Sequence, residues 1–448
     1  MTGVLLAVFA AAVSSSPAPP ARVKPRLTMP PLQARLRTLP NGLKVVSLAD
    51  ASSPTVSVQV YYQVGSVDDP DQRSGFAHLF EHLMFKATKN MKSEMMDRLT
   101  EDVGGFNNAS TGDDVTRYYE VVPAHYLETL LWAEADRMAT LQVDEAAFKS
   151  ERDVVKEEFR SRVLAPPYGK LFYAMETRSF TVHPYRRPGI GSIEDLDAAT
   201  LEDVRAFHRT FYRPDNATLI VVGDFDPAKL DEWVDRYFSK VPKPDLPLPR
   251  VTAVEPPREG EKRFSETGAN VPLPAVLVTY LVPPVTHPDA EPLRVLEALL
   301  ASGDSSRLHR TLVYEKQLAS RVAAGADLRL QPGLFYAFGI AASGHGADEV
   351  EKGLLAELER MKQTPVTAQE LEKAKNQLLH DLLAQRETAS GKARALAEAV
   401  VFYGDADRAN TDLARLQAVS AADVARVARQ YLTEKNRVVI GYAQEASK

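Results

Sequence analysis

The chain has 448 residues, 44% of them hydrophobic and 25% charged, which is ordinary composition for a folded protein and too much length for one ordinary core. Its formal net charge of −6 argues against a general surface for nucleic acid. There is no cysteine, which excludes disulfides and thiolate ligands and leaves His, Asp and Glu to hold any metal.

Residues 1–16 read as a signal peptide. The apolar run Val4 to Val13 is short of the roughly 20 residues that span a bilayer, and small residues follow it, although no Lys or Arg precedes it. The expectation is an exported chain, most simply in a bacterial periplasm. No other run is long and apolar enough to cross a membrane. Residues 17–32 form a Pro-rich leader, and an N-terminal domain is expected over 33–240.

That domain opens at Leu39 to Val46, where Asn41-Gly42 between apolar runs predicts a hairpin turn. Val56, Val58, Val60, Tyr62 and Val64 alternate with mostly polar residues, which predicts a strand with one buried face. Gly75 to Thr88 then holds His78-Leu79-Phe80-Glu81-His82. On a helix, His78 and His82 lie one turn apart on one face with Glu81 beside them. Two neutral imidazoles so spaced can grip one zinc ion, and a carboxylate beside them can work on its bound water. Ala77, Leu79, Phe80, Leu83 and Met84 supply an apolar surface away from this group.

Glu94 to Leu99 predicts a short helix that Gly104-Gly105 ends. Asn107 to Thr111 and Thr116 to Val122 read as a hairpin, and Tyr126 to Leu141 and Glu145 to Val163 as helices. On the second of these, Glu151 and Glu158 are seven residues apart and share a face, so this helix can supply the third ligand that a catalytic zinc needs. Glu157 reads as solvated. His183 to Gly191 is loop, Thr200 to Phe211 helix, and Ala217 to Val222 strand. Trp132 and Trp233 fall in helical patterns and are expected as core anchors.

Residues 241–261 carry prolines at a density that predicts a semi-rigid extended linker. The C-terminal domain, 262–445, repeats the first. Leu201 to Ile220 lines up with Ala421 to Ile440 at a constant offset of 220 (423 − 203). Val366 to Asp381 echoes Val143 to Glu158, and the predicted strand Ala275 to Val282 echoes Val56 to Val64 and is followed by a helix, Glu291 to Ala301. The fold class is therefore α+β, two homologous sheet-plus-helix domains. The second copy has no H-x-x-E-H.

H-x-x-E-H followed 76 positions later by a glutamate inside Glu151-Arg152-Asp153-Val154-Val155-Lys156-Glu157-Glu158 resembles the pitrilysin/insulinase-type zinc metallopeptidases, which include the mitochondrial processing peptidases. Leu39 to Leu43, Asn108-Ala109, Thr116 to Tyr119 and His183-Pro184 extend the resemblance along almost the whole chain. It implies that His78, His82 and Glu158 bind one zinc ion per chain. Glu81 becomes the general base, and Glu151 a catalytic-site carboxylate that steadies the ligands. Asn108 and Ala109 fall on the edge strand that takes a peptide substrate by β-augmentation. The two halves are expected to form a clamshell, with two such molecules enclosing a chamber.

One segment departs from the family. Active single-chain relatives carry an Arg and a Tyr seven apart in the second half, which bind substrate and the developing oxyanion. Here Val313 and Ser320 occupy those positions. Tyr314, Arg307, Arg310 and Arg321 lie near in sequence but out of register. A lost oxyanion donor costs a factor of roughly 100 to 1,000. The expectation is the metal-bearing subunit of a heterodimer whose homologous partner supplies Arg and Tyr in trans, with a homodimer as the fallback. The competing reading is a non-catalytic structural or assembly subunit of the same fold.

Overall fold

The computed structural model describes residues 27–446. The predicted signal peptide and the first part of the leader lie outside them. The N-terminal half forms a six-stranded sheet from β1 (Arg35–Thr38), β2 (Lys44–Ala49), β3 (Thr55–Tyr62), β4 (Phe106–Thr111), β5 (Thr116–Pro123) and β6 (Ala217–Gly223), in the order β1-β2-β6-β3-β5-β4. The C-terminal half forms a five-stranded sheet from β7 (Lys262–Gly268), β8 (Ala275–Val282), β9 (Ala319–Asp327), β10 (Gly333–Ala341) and β11 (Arg437–Gln444), in the order β7-β11-β8-β10-β9.

The second order is the first without β1. In each half the opening strand of that shared set runs parallel to the closing one, β2 with β6 and β7 with β11. In each half the other neighbours pair antiparallel. The repeat extends to single hydrogen bonds. Thr200 and Ser420 cap the helices Leu201–Phe211 and Ala421–Tyr431, each accepting from an Asp backbone N–H whose side chain returns the bond. Asn216 Nδ2 donates to the Phe211 carbonyl, and Asn436 Nδ2 to that of Tyr431, each at the end of the preceding helix.

The hairpin predicted at Asn41-Gly42 joins β1 to β2, with Thr38 opposite Lys44. Gly42 has φ +94°, and a Cβ there would lie 2.5 Å from Asp215 Cβ. The alternation on β3 sends Val56, Val58, Val60 and Tyr62 into the main N-terminal core. The opposite face was expected in water, yet Ser57 and Gln59 are buried. The helix Ala389–Tyr403, from the C-terminal half, lies across it. Leu396, Ala397 and Val400 pack there with Val46, Ile220 and Val222, and Gln59 Nε2 donates to the Ser390 carbonyl at 3.1 Å.

The exchange is reciprocal. Gly169–Ser179, a helix of the N-terminal half, packs on the C-terminal sheet, setting Leu171 and Ala174 against Leu277, Val438 and Ile440. Its first residue and that of Ala389–Tyr403 are again 220 apart (389 − 169). Separating the halves would expose both apolar seams, at roughly 25 cal/mol per Å². The linker is also fastened. Arg250 donates to Asn216 in the first half, and Arg258 to Ser179, Thr279 and Asn436.

At the other joint the β4–β5 turn meets the segment between β9 and β10. Arg329, 5% exposed, pairs with Asp113, Glu176 and Asp327 and lies over the rings of Phe180 and Tyr185. Trp132 and Trp233 are half-buried and pack against the N-terminal core rather than inside it.

Candidate metal centre

The H-x-x-E-H residues lie on the helix Phe76–Leu83. Its position is set at the N-terminus. Gly75 has φ +92°, and its Cα faces Gly191 so closely that a Cβ would lie 3.1 Å from the Gly191 Cα. The buried carboxylate of Asp69 accepts from the Gly75 and Ala77 N–H groups at 2.7 and 2.8 Å, satisfying donors that the first turn leaves free. Phe76, Leu79, Phe80 and Leu83 are buried beneath, with Phe80 stacked on His208. The remaining face presents His78, Glu81 and His82 half-buried.

The second element is the helix Glu145–Phe159, capped by Asp144, whose side chain accepts from Ala147 N–H. Phe148, Val155 and Phe159 are buried, and the side chains of Glu151 and Glu158 are largely covered. The predicted helix ran unbroken to Val163. Instead, Arg160–Leu164 winds as a π-turn, a local widening often found at functional sites. From it Arg162 Nη1 reaches Glu158 Oε1 at 2.6 Å.

Glu158 Oε2 points the other way. It lies 3.4 Å from His78 Nε2 and 3.4 Å from His82 Nε2, and it is buried with no hydrogen-bond donor among the described residues. The ligand atoms of these three residues lie within 4.8 Å of one another. The edge of a tetrahedron with bonds of about 2.0–2.1 Å is about 3.3–3.4 Å, so two of the three separations suit a zinc-sized ion. The donor set of two imidazoles and one carboxylate also suits zinc. The residues present therefore fit such an ion.

The electrostatics of His78 agree with that fit. Burial pushes the His78 pKa down to about 4, so its imidazole is neutral at neutral pH and its lone pair is free to coordinate. His82 is raised instead: burial opposes this, but Glu151 and Glu158 outweigh it. Glu151 lies behind His82, with Oε2 3.5 Å from Nδ1 and Oε1 2.9 Å from Lys86 Nζ. Burial works against the Glu151 carboxylate, yet His82 and Lys86 hold it below its ordinary value and charged. A carboxylate on the far nitrogen of a ligating histidine fixes ring orientation and tautomer. His78 Nδ1, by contrast, is buried without a partner among the described residues.

Glu81 Oε2 accepts from Thr111 Oγ1 at 2.5 Å. Burial raises its pKa despite that bond, the direction that suits a group passing protons. Thr111 ends β4, the edge strand of the N-terminal sheet, which also carries Asn108, exposed, and Ala109, buried. Asn108 Oδ1 accepts from the Ala109 N–H at 2.8 Å.

Sequence reasoning assigned no role to Thr111, Lys86, Arg162 or Asp69. Lys86 stands four residues after His82 and Arg162 four after Glu158, a spacing that alone could have drawn attention to them. Nothing local marks Thr111 or Asp69. Arg307 makes a bidentate pair with Glu370, Arg310 pairs with Glu315, and the Tyr314 side chain is exposed. Val313 packs against the C-terminal core, and Ser320 Oγ donates to the Ala341 carbonyl.

Replacing Glu151 by Gln is expected to weaken zinc binding by about 10- to 100-fold while leaving circular dichroism unchanged. Competition against a colorimetric chelator measures it, and an unaltered affinity would remove Glu151 from the site.

Residues 44–171 match the family model for insulinase, peptidase family M16, and residues 198–378 the model for the peptidase M16 inactive domain. The chain is 33% identical to the zinc protease PqqE of Helicobacter pylori over 90% of this chain and 91% of that one. It is 25% identical to the mitochondrial-processing peptidase subunit beta of Lentinula edodes over 90% and 88% of the two chains. A crystal structure of a protease from Helicobacter pylori superposes with a TM-score of 0.88 at 30% identity, covering 92% of this chain and 99% of that one.

Proposed function

The chain belongs to peptidase family M16, and from that premise we propose that it is a zinc-dependent endopeptidase that hydrolyses peptides or unfolded segments. The observation that carries the reading is the approach of Glu158 Oε2, free of any donor among the described residues, to both His78 Nε2 and His82 Nε2. His78, His82 and Glu158 would hold the ion. When bound, zinc polarises the scissile carbonyl and lowers the pKa of its water toward neutrality.

The chain's own groups do the rest. Thr111 Oγ1 engages one oxygen of Glu81 and leaves the other to take the water's proton and return it to the leaving amine. Arg162 holds Glu158 in place, and Lys86 holds Glu151 in place as a carboxylate. A substrate strand adds along the edge of β4, and its backbone displaces the Asn108 side chain from the Ala109 N–H. Recognition of backbone on a sheet edge favours extended segments over folded proteins.

The proposal extends to assembly and place. The chain acts after export, in a periplasm, inside a chamber closed by a second, homologous subunit. Val313 is apolar and Ser320 is tied to β10, so neither offers the oxyanion donors of the family pair. The same observation sustains a second reading, a structural subunit that keeps the fold without catalysis.

The test assays cleavage of a quenched-fluorescent unfolded polypeptide by the zinc-loaded chain, alone and with a homologue that carries the Arg–Tyr pair. The lone chain is expected to be slower by a factor of roughly 100 to 1,000. Equal rates would reject assistance in trans, and no cleavage in either arm would favour the structural reading.

A further inference from the structure

One face of the β4 edge meets the metal helix, where Thr111 reaches Glu81. The opposite face carries Ser110 and borders an open pocket of about 320 Å³. The β4–β5 turn, the segment between β9 and β10 and the helix Ala389–Tyr403 supply its other walls. Successive residues of a strand point to opposite faces, so a peptide added along β4 sends every second side chain to the side of this pocket.

Arg117 lines the pocket from β5, one strand in from the edge and opposite Ser110 in the register. Its Nε donates to Ser110 Oγ at 2.7 Å, which leans the guanidinium across β4 toward the edge, and its Cζ lies 5.4 Å from the centre of the Tyr119 ring. The residue is half-buried, yet Nη1 and Nη2 keep contact with solvent. Among the described residues it has no carboxylate partner, whereas the other two arginines of the pocket are paired, Arg394 with Glu398 and Arg329 with Asp113 and Asp327. Those pairs also occupy three of the four carboxylates that line the pocket. The fourth, Asp114, accepts from the Tyr185 hydroxyl and the Leu330 N–H.

We propose that Arg117 determines specificity, drawing an acidic side chain of the bound peptide, Glu or Asp, into this pocket. The carboxylate takes Nη1 and Nη2 in the forked geometry that guanidinium favours, while Ser110 holds Nε and so fixes the direction of the fork. Ser110 is short, so it leaves the space between the guanidinium and the incoming strand open. The acidic residue lies beside Ser110, one position along β4 from the Thr111 that bonds Glu81, and therefore close to the scissile bond. The inference deepens the peptidase reading and rests on β4 as the strand that receives substrate.

Short fluorescent peptides, amidated at the C-terminus so that a side chain is the sole carboxylate, carry Glu, Gln or Lys at one position of an otherwise uncharged sequence. Anisotropy measures their binding to the full zinc-loaded chain bearing E81Q, which reports recognition without cleavage. The Glu peptide is expected to bind roughly 5- to 30-fold more tightly than the Gln peptide, and the Lys peptide more weakly than either. Adding R117Q should level Glu and Gln. R117E should turn the preference to Lys, a gain that also shows the variant to be folded. Wild-type digestion of an unfolded polypeptide, read by mass spectrometry, should place acidic residues at one fixed distance from the cut and not at the adjoining positions, whose side chains take the other face. Equal binding of the Glu and Gln peptides to E81Q, no binding of either, or a Glu preference that survives R117Q would overturn the proposal. Absence of cleavage by the wild type, with the Glu preference in binding intact, would reject the peptidase reading and support this one.

Discussion

Replacing Glu81 by Gln is expected to abolish nearly all cleavage while leaving the zinc content at one ion per chain. The substitution preserves shape, and the amide oxygen can still accept from Thr111 Oγ1. It removes the capacity to take and return a proton, a contribution of roughly 100- to 10,000-fold. Glu81 lies on the ligand helix but is not among the three residues whose ligand atoms converge, so metal binding and proton transfer should separate cleanly. Metal analysis beside a peptide-cleavage assay makes the comparison, and unchanged cleavage in E81Q would sink the role assigned to this residue.

Replacing Glu158 by Ala is expected to fail at the opposite point. On the proposed reading the loss takes away one of three ligands, so zinc affinity should fall by more than the roughly 10- to 100-fold typical of outer partners. Activity should fall with it. Stability supplies an independent reading. A ligand at about 100 times its Kd stabilises the folded state by about 2.7 kcal/mol, so zinc should raise the unfolding midpoint of the wild type and not that of E158A. Neither apolar core is built on Glu158, which leaves the apo fold of the variant intact. A variant that still gained stability from stoichiometric zinc would show that the third ligand lies elsewhere. The two variants together distinguish a chain without a base from a chain without a metal.

Much of the site was legible because its parts are local. The spacing of His78, Glu81 and His82 makes them neighbours on any helix, and the apolar residues between them select the buried face. Glu151 and Glu158 share a face for the same reason, two turns apart. The 220-residue offset exposed two copies of one unit, down to matching caps at Thr200 and Ser420. What stayed hidden depends on partners far along the chain. Thr111 is a polar residue at a strand end until the fold sets it against Glu81. Arg162 needs the π-turn to aim it back at Glu158.

The α+β repeat, the metal-type motif and the face that displays it follow from local pattern, because periodicity dictates which side chains share a surface. Long-range packing is what brings residue 158 to residues 78 and 82 and makes each half lend a helix to the other's sheet. Alternation on β3 says that one face differs from the other. It does not say whether the polar face meets water or, as here, a helix arriving from more than 300 residues away. A local pattern fixes orientation within an element, whereas the choice of neighbour is made by which long-range packing buries the most surface without stranding a polar group.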